Sequence, residues 1–485
     1  MVSSLNLVRS LSAVRCGRIH YTYWYVKERA IKTNSWTKEA IFYHVYPLGY
    51  CGAPRRNDFS AAPVPRLDKL TADLGRIRSL GFNALYLGPV FESVAHGYDP
   101  VSWRIVDRRL GDTNTLRRLS SEAKRLGMHL VFDGVFNHTG REHAWFRALR
   151  DRGSAAPISP EAARYASVRE GHSPAGDPFM YEGWAGHYDL AKLNLRDEGT
   201  KAELIGAALS WIDDYGIDGI RLDAADCLDM DFLSGLASAC RGRNADFWLM
   251  GEVVFGDYRR WVGQTGSAGV LDSVTNYECY KGLWSSHLDA NYFEIAYALK
   301  RQFGEGGLYR DADLYSFADN HDVDRVASKL EKEEHLYPLY CLLFTMPGIP
   351  SVYYGSERGA KAKRDEHSDW PLRPSIEEAL ASGAQADLEG AITRLALLRR
   401  DTPALRLGDY RELSVGKESL VFERSAEGQK AVVAVNAAGA AASMEVKADD
   451  GTWRDALNGG VAYRASSGKL RFDVPRTWAR VLVRD

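Results

Sequence analysis

Residues 217–226 read IDGIRLDAAD, and their meaning decides how the rest of the chain is read. Ile217, Ile220 and Leu222 describe a buried β-strand. Arg221 and Asp223 are two positions apart, so their side chains share one face of that strand. Burying a charge is costly unless it is paired or has a task. Taken alone, the pair reads as a structural ion pair. Its meaning depends on what neighbouring strands bring to the same place.

Seven further apolar runs accompany it. AIFYHVYPLG (40–49), FNALYLGPV (82–90) and MHLVFDGVFNH (128–138) precede it. FWLMGEVV (247–254), LDSVTNYE (271–278), DLYSFADN (313–320) and IPSVYYGSE (349–357) follow. Helical patterns alternate with them. LDKLTADLGRIRSLG sets Leu67, Leu70, Leu74 and Ile77 on one stripe and stops at Gly81. TLRRLSSEAKRLG and TKAELIGAALSWIDDYG also close on glycine. Eight strand–helix units predict an α/β fold, a parallel (β/α)8 TIM barrel. An open doubly wound sheet is the other arrangement of such units. It would carry a glycine-rich phosphate loop after its first strand, and the sequence has none.

The third unit is stretched. Residues 139–195 lack clear periodicity and read as a domain inserted after strand three, at the end of the barrel where active sites lie. After Pro403 the pattern becomes short alternating runs, SLVFERS, KAVVAVNA, SMEVKA and RVLVRD, separated by turn residues. These predict a C-terminal antiparallel β-sandwich. The expected plan is an N-terminal extension (1–35), a barrel (36–402) interrupted by 139–195, and a sandwich (403–485). Its first 20 residues are Arg- and Ser-rich without acids, the extension lacks the apolar core of a secretory signal, and it is expected to be poorly ordered.

Composition narrows the function. The 485 residues are 45% hydrophobic and 26% charged, which suits a globular protein. With a net charge of −2 and no basic run, neither nucleic acid nor an anionic membrane is an expected partner. No apolar run is long enough to cross a membrane. The six cysteines form no CxxC pair and read as reduced thiols of a cytoplasmic protein. Oligomeric state is not readable.

The polar residues collect at the C-terminal ends of the predicted strands. These ends carry His96 and Asp99, Asp133 and His138, Arg221 and Asp223, Glu252, and Asp319 with Asn320, His321 and Asp322. A metal-dependent barrel hydrolase would want His-x-His on a strand, and the twelve histidines contain no such spacing. Carboxylates in excess, with arginine and histidine around them, suit glycoside cleavage, in which one carboxylate attacks and another protonates the leaving oxygen.

DGVFNH (133–138), GIRLDAAD (219–226), GEVV (251–254) and FADNHD (317–322) resemble, in order and spacing, the four motif regions of the α-amylase family, glycoside hydrolase family 13. HGYDP (96–100), AKLN (191–194) and PGIPSVYYGSE at strand eight agree with it. The resemblance implies a retaining double displacement on α-glucosidic bonds of an α-glucan or maltooligosaccharide. It implies Asp223 as nucleophile, Glu252 as general acid and base, and Asp322 as the third carboxylate, which holds sugar hydroxyls. Arg221 would keep Asp223 ionised, whereas Glu252 would hold a raised pKa.

By the same resemblance His138 and His321 donate hydrogen bonds to the sugar at subsite −1, with Tyr98 stacked beneath it and His96 beside it. Asp133 braces Arg221, while Asp369 and Arg373 match a pair that binds sugar at −2. Trp184 is a candidate platform on the acceptor side. No cofactor is expected for the chemistry. A structural calcium ion stays open, with Asn137 as its one matching position. The nearest branch is the cyclomaltodextrinase, neopullulanase and maltogenic amylase group. Hydrolysis of maltooligosaccharides, cyclodextrins or short α-glucans is the leading activity, with transglycosylation, α-glucosidase or isomerase activity, and a non-catalytic carbohydrate-binding role as alternatives.

Overall fold

Each of the eight apolar runs supplies one strand of a single parallel sheet. The strands are β1 (Phe42–Val45), β2 (Ala84–Leu87), β3 (His129–Gly134), β4 (Gly219–Leu222), β5 (Trp248–Gly251), β6 (Ser273–Val274), β7 (Tyr315–Phe317) and β8 (Ile349–Tyr353). Neighbours pair in the order β7-β8-β1-β2-β3-β4-β5-β6. A parallel bridge between Thr275 and Tyr315 joins the two outer strands, and the Asn276 N–H donates to the Tyr315 carbonyl at 2.8 Å. The sheet is therefore a closed barrel, as expected from the sequence. The computed structural model describes residues 36–151, 165–264, 267–366 and 368–484, and the expected N-terminal extension lies outside them.

The helices between strands end as their sequences predict. Gly81, Gly127 and Gly216 take φ of 98°, 66° and 59°, values that cost a residue with a Cβ far more. Helix Thr113–Arg125 begins with a capping box in which Asp112 accepts from Thr115.

The barrel is stratified. Phe42, Ala84, Val131, Trp248, Tyr315 and Ile349 fill its lower interior with apolar side chains. Above them the register sets Asp133 beside Arg221 and Arg221 beside Met250. The charged groups thus gather at the C-terminal mouth, on a buried floor whose Tyr315 hydroxyl donates to Ser351 at 2.6 Å.

After β3 the insertion builds its own three-stranded antiparallel sheet, His138–Gly140, Gly183–Trp184 and His187–Lys192, over a small core of Phe146, Phe179 and Tyr181. Following the short helix Pro403–Leu407, residues Asp409–Arg484 form two antiparallel sheets packed through Val421, Val432, Trp453, Leu470 and Leu482. Buried Arg424 ties them to the barrel, donating to the carbonyls of Thr345 at 2.6 Å and Gly408 at 2.8 Å. Among the described residues five cysteines are free, and four of those are buried. Among the same residues no helix is long and apolar enough to cross a membrane.

Candidate active site

Arg221, 3% exposed, is the hub of the mouth. Its Nη1 donates to Asp133 Oδ1 at 2.8 Å and to Asp223 Oδ1 at 2.8 Å. Its Nη2 stands 2.8 Å from Glu252 Oε2. One guanidinium therefore serves three carboxylates delivered by β3 and by the ends of β4 and β5. Exposure separates their roles. The Asp133 side chain is 0% exposed, whereas Asp223 and Glu252 keep 11% and 15%. Only the latter two can meet a ligand.

Both open carboxylates keep one oxygen free. Asp223 Oδ2 and Glu252 Oε1 accept no hydrogen bond among the described residues, while their other oxygens are held by Arg221. Glu252 Oε2 also accepts the Ala224 N–H at 3.1 Å. Ala224 reaches that position with φ of 45°, in the left-handed region that a non-glycine residue rarely adopts.

Burial works against the expectation that Arg221 keeps Asp223 ionised. Burial pushes both carboxyls up, Asp223 well above its ordinary value, and Arg221 only partly opposes this. Their mutual repulsion raises Asp223 further. Burial and the repulsion between Asp223 and Glu252 favour a proton shared by the dyad, and Arg221 opposes it.

Asp322 behaves oppositely. Burial alone would raise it, but His321 and Arg373 outweigh burial and hold it well below the carboxylate range. His321 Nε2 lies 2.9 Å from Asp322 Oδ2, and Arg373 Nη2 donates to Asp322 Oδ1 at 2.8 Å. Arg373 also reaches Asp369 Oδ2 at 3.4 Å, and its Nε donates to the His321 carbonyl at 3.0 Å. The Asp369–Arg373 pair is therefore more than a solvated surface bridge: Arg373 is buried and joins Asp369 to Asp322.

The Tyr98 hydroxyl donates to Asp133 Oδ2 at 2.9 Å and also meets His321 Nε2, on whose ring Tyr98 stacks at 5.1 Å and 8°. His96 is partly exposed beside it, and burial followed by Arg373 lowers its pKa to about 4. Trp184 is half-buried, 5.5 Å from the His138 ring.

His138 departs from the role its resemblance implied. Its Nε2 faces the Tyr98 carbonyl oxygen at 2.8 Å and its Nδ1 faces Asn137 Nδ2 at 3.2 Å. Burial lowers its pKa to about 4, so the ring is neutral with a single N–H. A carbonyl can only accept, so that proton sits on Nε2 and is taken by Tyr98. His138 braces the Tyr98 backbone and offers no donor to a sugar.

Asn137 is buried behind the mouth. Its Oδ1 is buried and unpaired, but among the described residues no three His, Cys, Asp or Glu side chains group as metal ligands. One contributor, Tyr86, escaped the sequence reading, whereas Asn320 is among the polar residues at the predicted strand ends. Tyr86 donates to Asp133 Oδ2 at 2.7 Å, and Asn320 Oδ1 accepts the Asp322 N–H at 2.8 Å. Tyr86 faces inward by strand alternation, the one signal that marks it.

A closed parallel barrel whose C-terminal mouth gathers carboxylates around a shared arginine defines the class as a barrel glycosidase. The chain belongs to the α-amylase family: the α-amylase catalytic domain matches residues 63–394. Family membership makes it a glycosidase that retains anomeric configuration. Among its relatives, the cyclomaltodextrinase of a Bacillus species is 28% identical over 409 residues, 79% of this chain and 70% of that protein. Neopullulanase 2 of Thermoactinomyces vulgaris is 26% identical over 477 residues, 92% of this chain and 77% of that protein. The debranching enzyme of Nostoc punctiforme superposes with a TM-score of 0.76 at 25% identity, covering 93% of this chain and all of that one.

Proposed function

We propose that the enzyme hydrolyses α-1,4-glucosidic bonds of short maltooligosaccharides and cyclodextrins, with Asp223 as nucleophile and Glu252 as acid and base. The observation that carries this is the pair of free oxygens, Asp223 Oδ2 and Glu252 Oε1, whose partner oxygens are fixed by one guanidinium. In the first step Asp223 Oδ2 bonds to the anomeric carbon. The glycosidic C–O bond breaks, and the dyad's proton passes from Glu252 to the leaving oxygen. In the second step Glu252 takes a proton from water, the water oxygen bonds to the anomeric carbon, and Asp223 leaves. Two inversions at one carbon give net retention.

Asp322 stays ionised through the cycle and binds hydroxyls of the sugar at −1, alongside His321, Tyr98 and His96. Asp369 and Arg373 hold the next sugar toward the non-reducing end, and Trp184 borders the acceptor side. The named activities of the cyclomaltodextrinase and neopullulanase relatives support the substrate class. Free cysteines suit a reducing compartment, and we place the enzyme in the cytoplasm.

The test is a panel of maltotriose, γ-cyclodextrin, pullulan and starch, with product sizing and NMR of the first anomer released. Hydrolysis of maltotriose and γ-cyclodextrin with α-anomer first is the expected result. First release of β-anomer, or no hydrolysis of any α-glucan, overturns the reading.

A further inference from the structure

A cleft of about 690 Å3 lies away from the mouth, and none of the active-site residues lines it. It is bounded by the loop Val101–Ile105 that follows β2, by the first helix of the insertion (Ala144–Arg150), and by the start of helix Glu198–Tyr215. We propose that it is a second, non-catalytic site that binds a short neutral oligosaccharide. The proposal rests on the α-glucan reading only for the linkage of that sugar.

The walls are aromatic. Trp145 stacks on Tyr165 with ring centroids 3.6 Å apart, and both side chains are half-buried, so each keeps an accessible edge or face. His143 and Trp103 continue the cluster, 4.4 Å and 5.6 Å from Trp145. Flat rings are what the C–H faces of a pyranose pack against, and tryptophan and tyrosine add polar edges.

The carboxylates in the cleft are already paired, and Arg147 shares Glu142 with Arg150 at 3.9 Å. Glu92 pairs with Arg108 at 2.5 Å, Glu203 with Arg104 at 3.1 Å, and Glu142 with Arg150 at 2.9 Å. An acidic or basic ligand would find no free carboxylate and only the loosely held Arg147, while a neutral polyhydroxylated one can share the outer edges of those pairs. A volume of this size falls within the roughly 300–1,000 Å3 of small-ligand sites.

Two donors remain unused. His143 is 5% exposed, and its Nδ1 accepts the Trp145 N–H at 3.2 Å. Its proton is therefore on Nε2, which has no partner among the described residues and is not sealed from the cleft. Ser102 Oγ accepts the N–H groups of Arg104 and Ile105, each at 3.1 Å, which leaves its hydroxyl proton to donate. An imidazole N–H and a hydroxyl set among stacked rings, with the carboxylates paired, match the edge and face of a sugar ring.

The experiment uses the full-length Asp223→Asn protein, which blocks turnover, and titrates it with maltopentaose in a calorimeter. Two binding events per chain are expected. Trp145→Ala and, separately, Tyr165→Ala in that background should each abolish one event or weaken it tenfold or more, leaving the other within twofold. Thermal unfolding of each variant is recorded alongside; if Trp145→Ala is unfolded, the half-exposed Tyr165→Ala decides. Unchanged maltopentaose binding in the folded aromatic variants overturns the cleft, whatever the wild-type activity. Failure of the wild-type enzyme to cleave maltopentaose overturns the α-glucan reading alone, because the cleft is identified by loss of binding and not by turnover.

Discussion

Arg221 and Glu252 are in contact: Nη2 of the arginine lies 2.8 Å from Oε2 of the glutamate, while Nη1 holds Asp223. The guanidinium thus spans the two carboxylates of the displacement, and its planar fork suits that task better than a point charge. Arg221→Lys should lower kcat/KM by about 10²–10³-fold, the scale of losing one preorganised donor. The pH dependence follows from the signs. Burial raises the carboxyl of Asp223, and Arg221 lowers it. Without the fork burial is less opposed, and Asp223 must be ionised to attack. The acid limb of kcat/KM against pH therefore moves to higher pH; an unmoved limb would show that Arg221 does not set it.

The two free oxygens predict separable defects. Glu252→Gln should reduce kcat on maltotriose by about 10²–10⁴-fold, the usual worth of a positioned acid. On α-maltosyl fluoride, whose leaving group needs little proton help, the same variant should still be glycosylated. Asp223→Asn should lose both substrates. The opposite pattern would exchange the two roles.

The barrel was legible because each strand is an apolar run and each of three helices stops at a positive-φ glycine, signals local in sequence. Arg221 and Asp223 were legible because charge inside a strand is costly. Other features depend on approach through space. Tyr86 looks like any core aromatic until its hydroxyl reaches Asp133, 47 positions away. HSDWPLRP reads as a polar surface loop, yet Arg373 is buried because its guanidinium lies 4.9 Å from the Tyr46 ring and 5.6 Å from that of Tyr98. His138 fits its motif, but the carbonyl of Tyr98, 40 residues earlier, takes its proton. The insertion hid its strands because they are two, three and six residues long, too short for a period to emerge.

Arg373 links sugar binding to the third carboxylate, so its neighbours should separate kinetically. Asp369→Asn removes a charged hydrogen-bond partner at the rim, and KM for maltotriose should rise about tenfold or more while kcat changes little. Arg373→Ala also removes a cation that keeps Asp322 ionised, so kcat should fall as well, by about 10²-fold. Equal KM values for Asp369→Asn and wild type would mean that Asp369 meets no sugar.

The position of Arg373 in turn depends on a glycine that no substrate touches. Gly49 lies in the short helix Pro47–Tyr50, and a Cβ there would collide with the Arg373 carbonyl oxygen and stand 2.9 Å from the Tyr354 hydroxyl. Neither neighbour is the free end of a flexible chain. Tyr354 is tied to the Pro374 carbonyl, and the Arg373 side chain to Asp322. Gly49→Ala should therefore cost about 1–3 kcal/mol by overpacking and also reproduce part of the Arg373 defect, a lower kcat with a raised KM. Gly75→Ala is the control. It sits in helix Asp68–Ser79 with nothing within 4 Å of the added Cβ, so it should gain about 0.5–1 kcal/mol from helix propensity and leave activity unchanged. Thermal unfolding and steady-state kinetics on maltotriose check both. A Gly49→Ala enzyme that is destabilised yet kinetically normal would show that the loop shifts without carrying the Arg373 guanidinium away from Asp322.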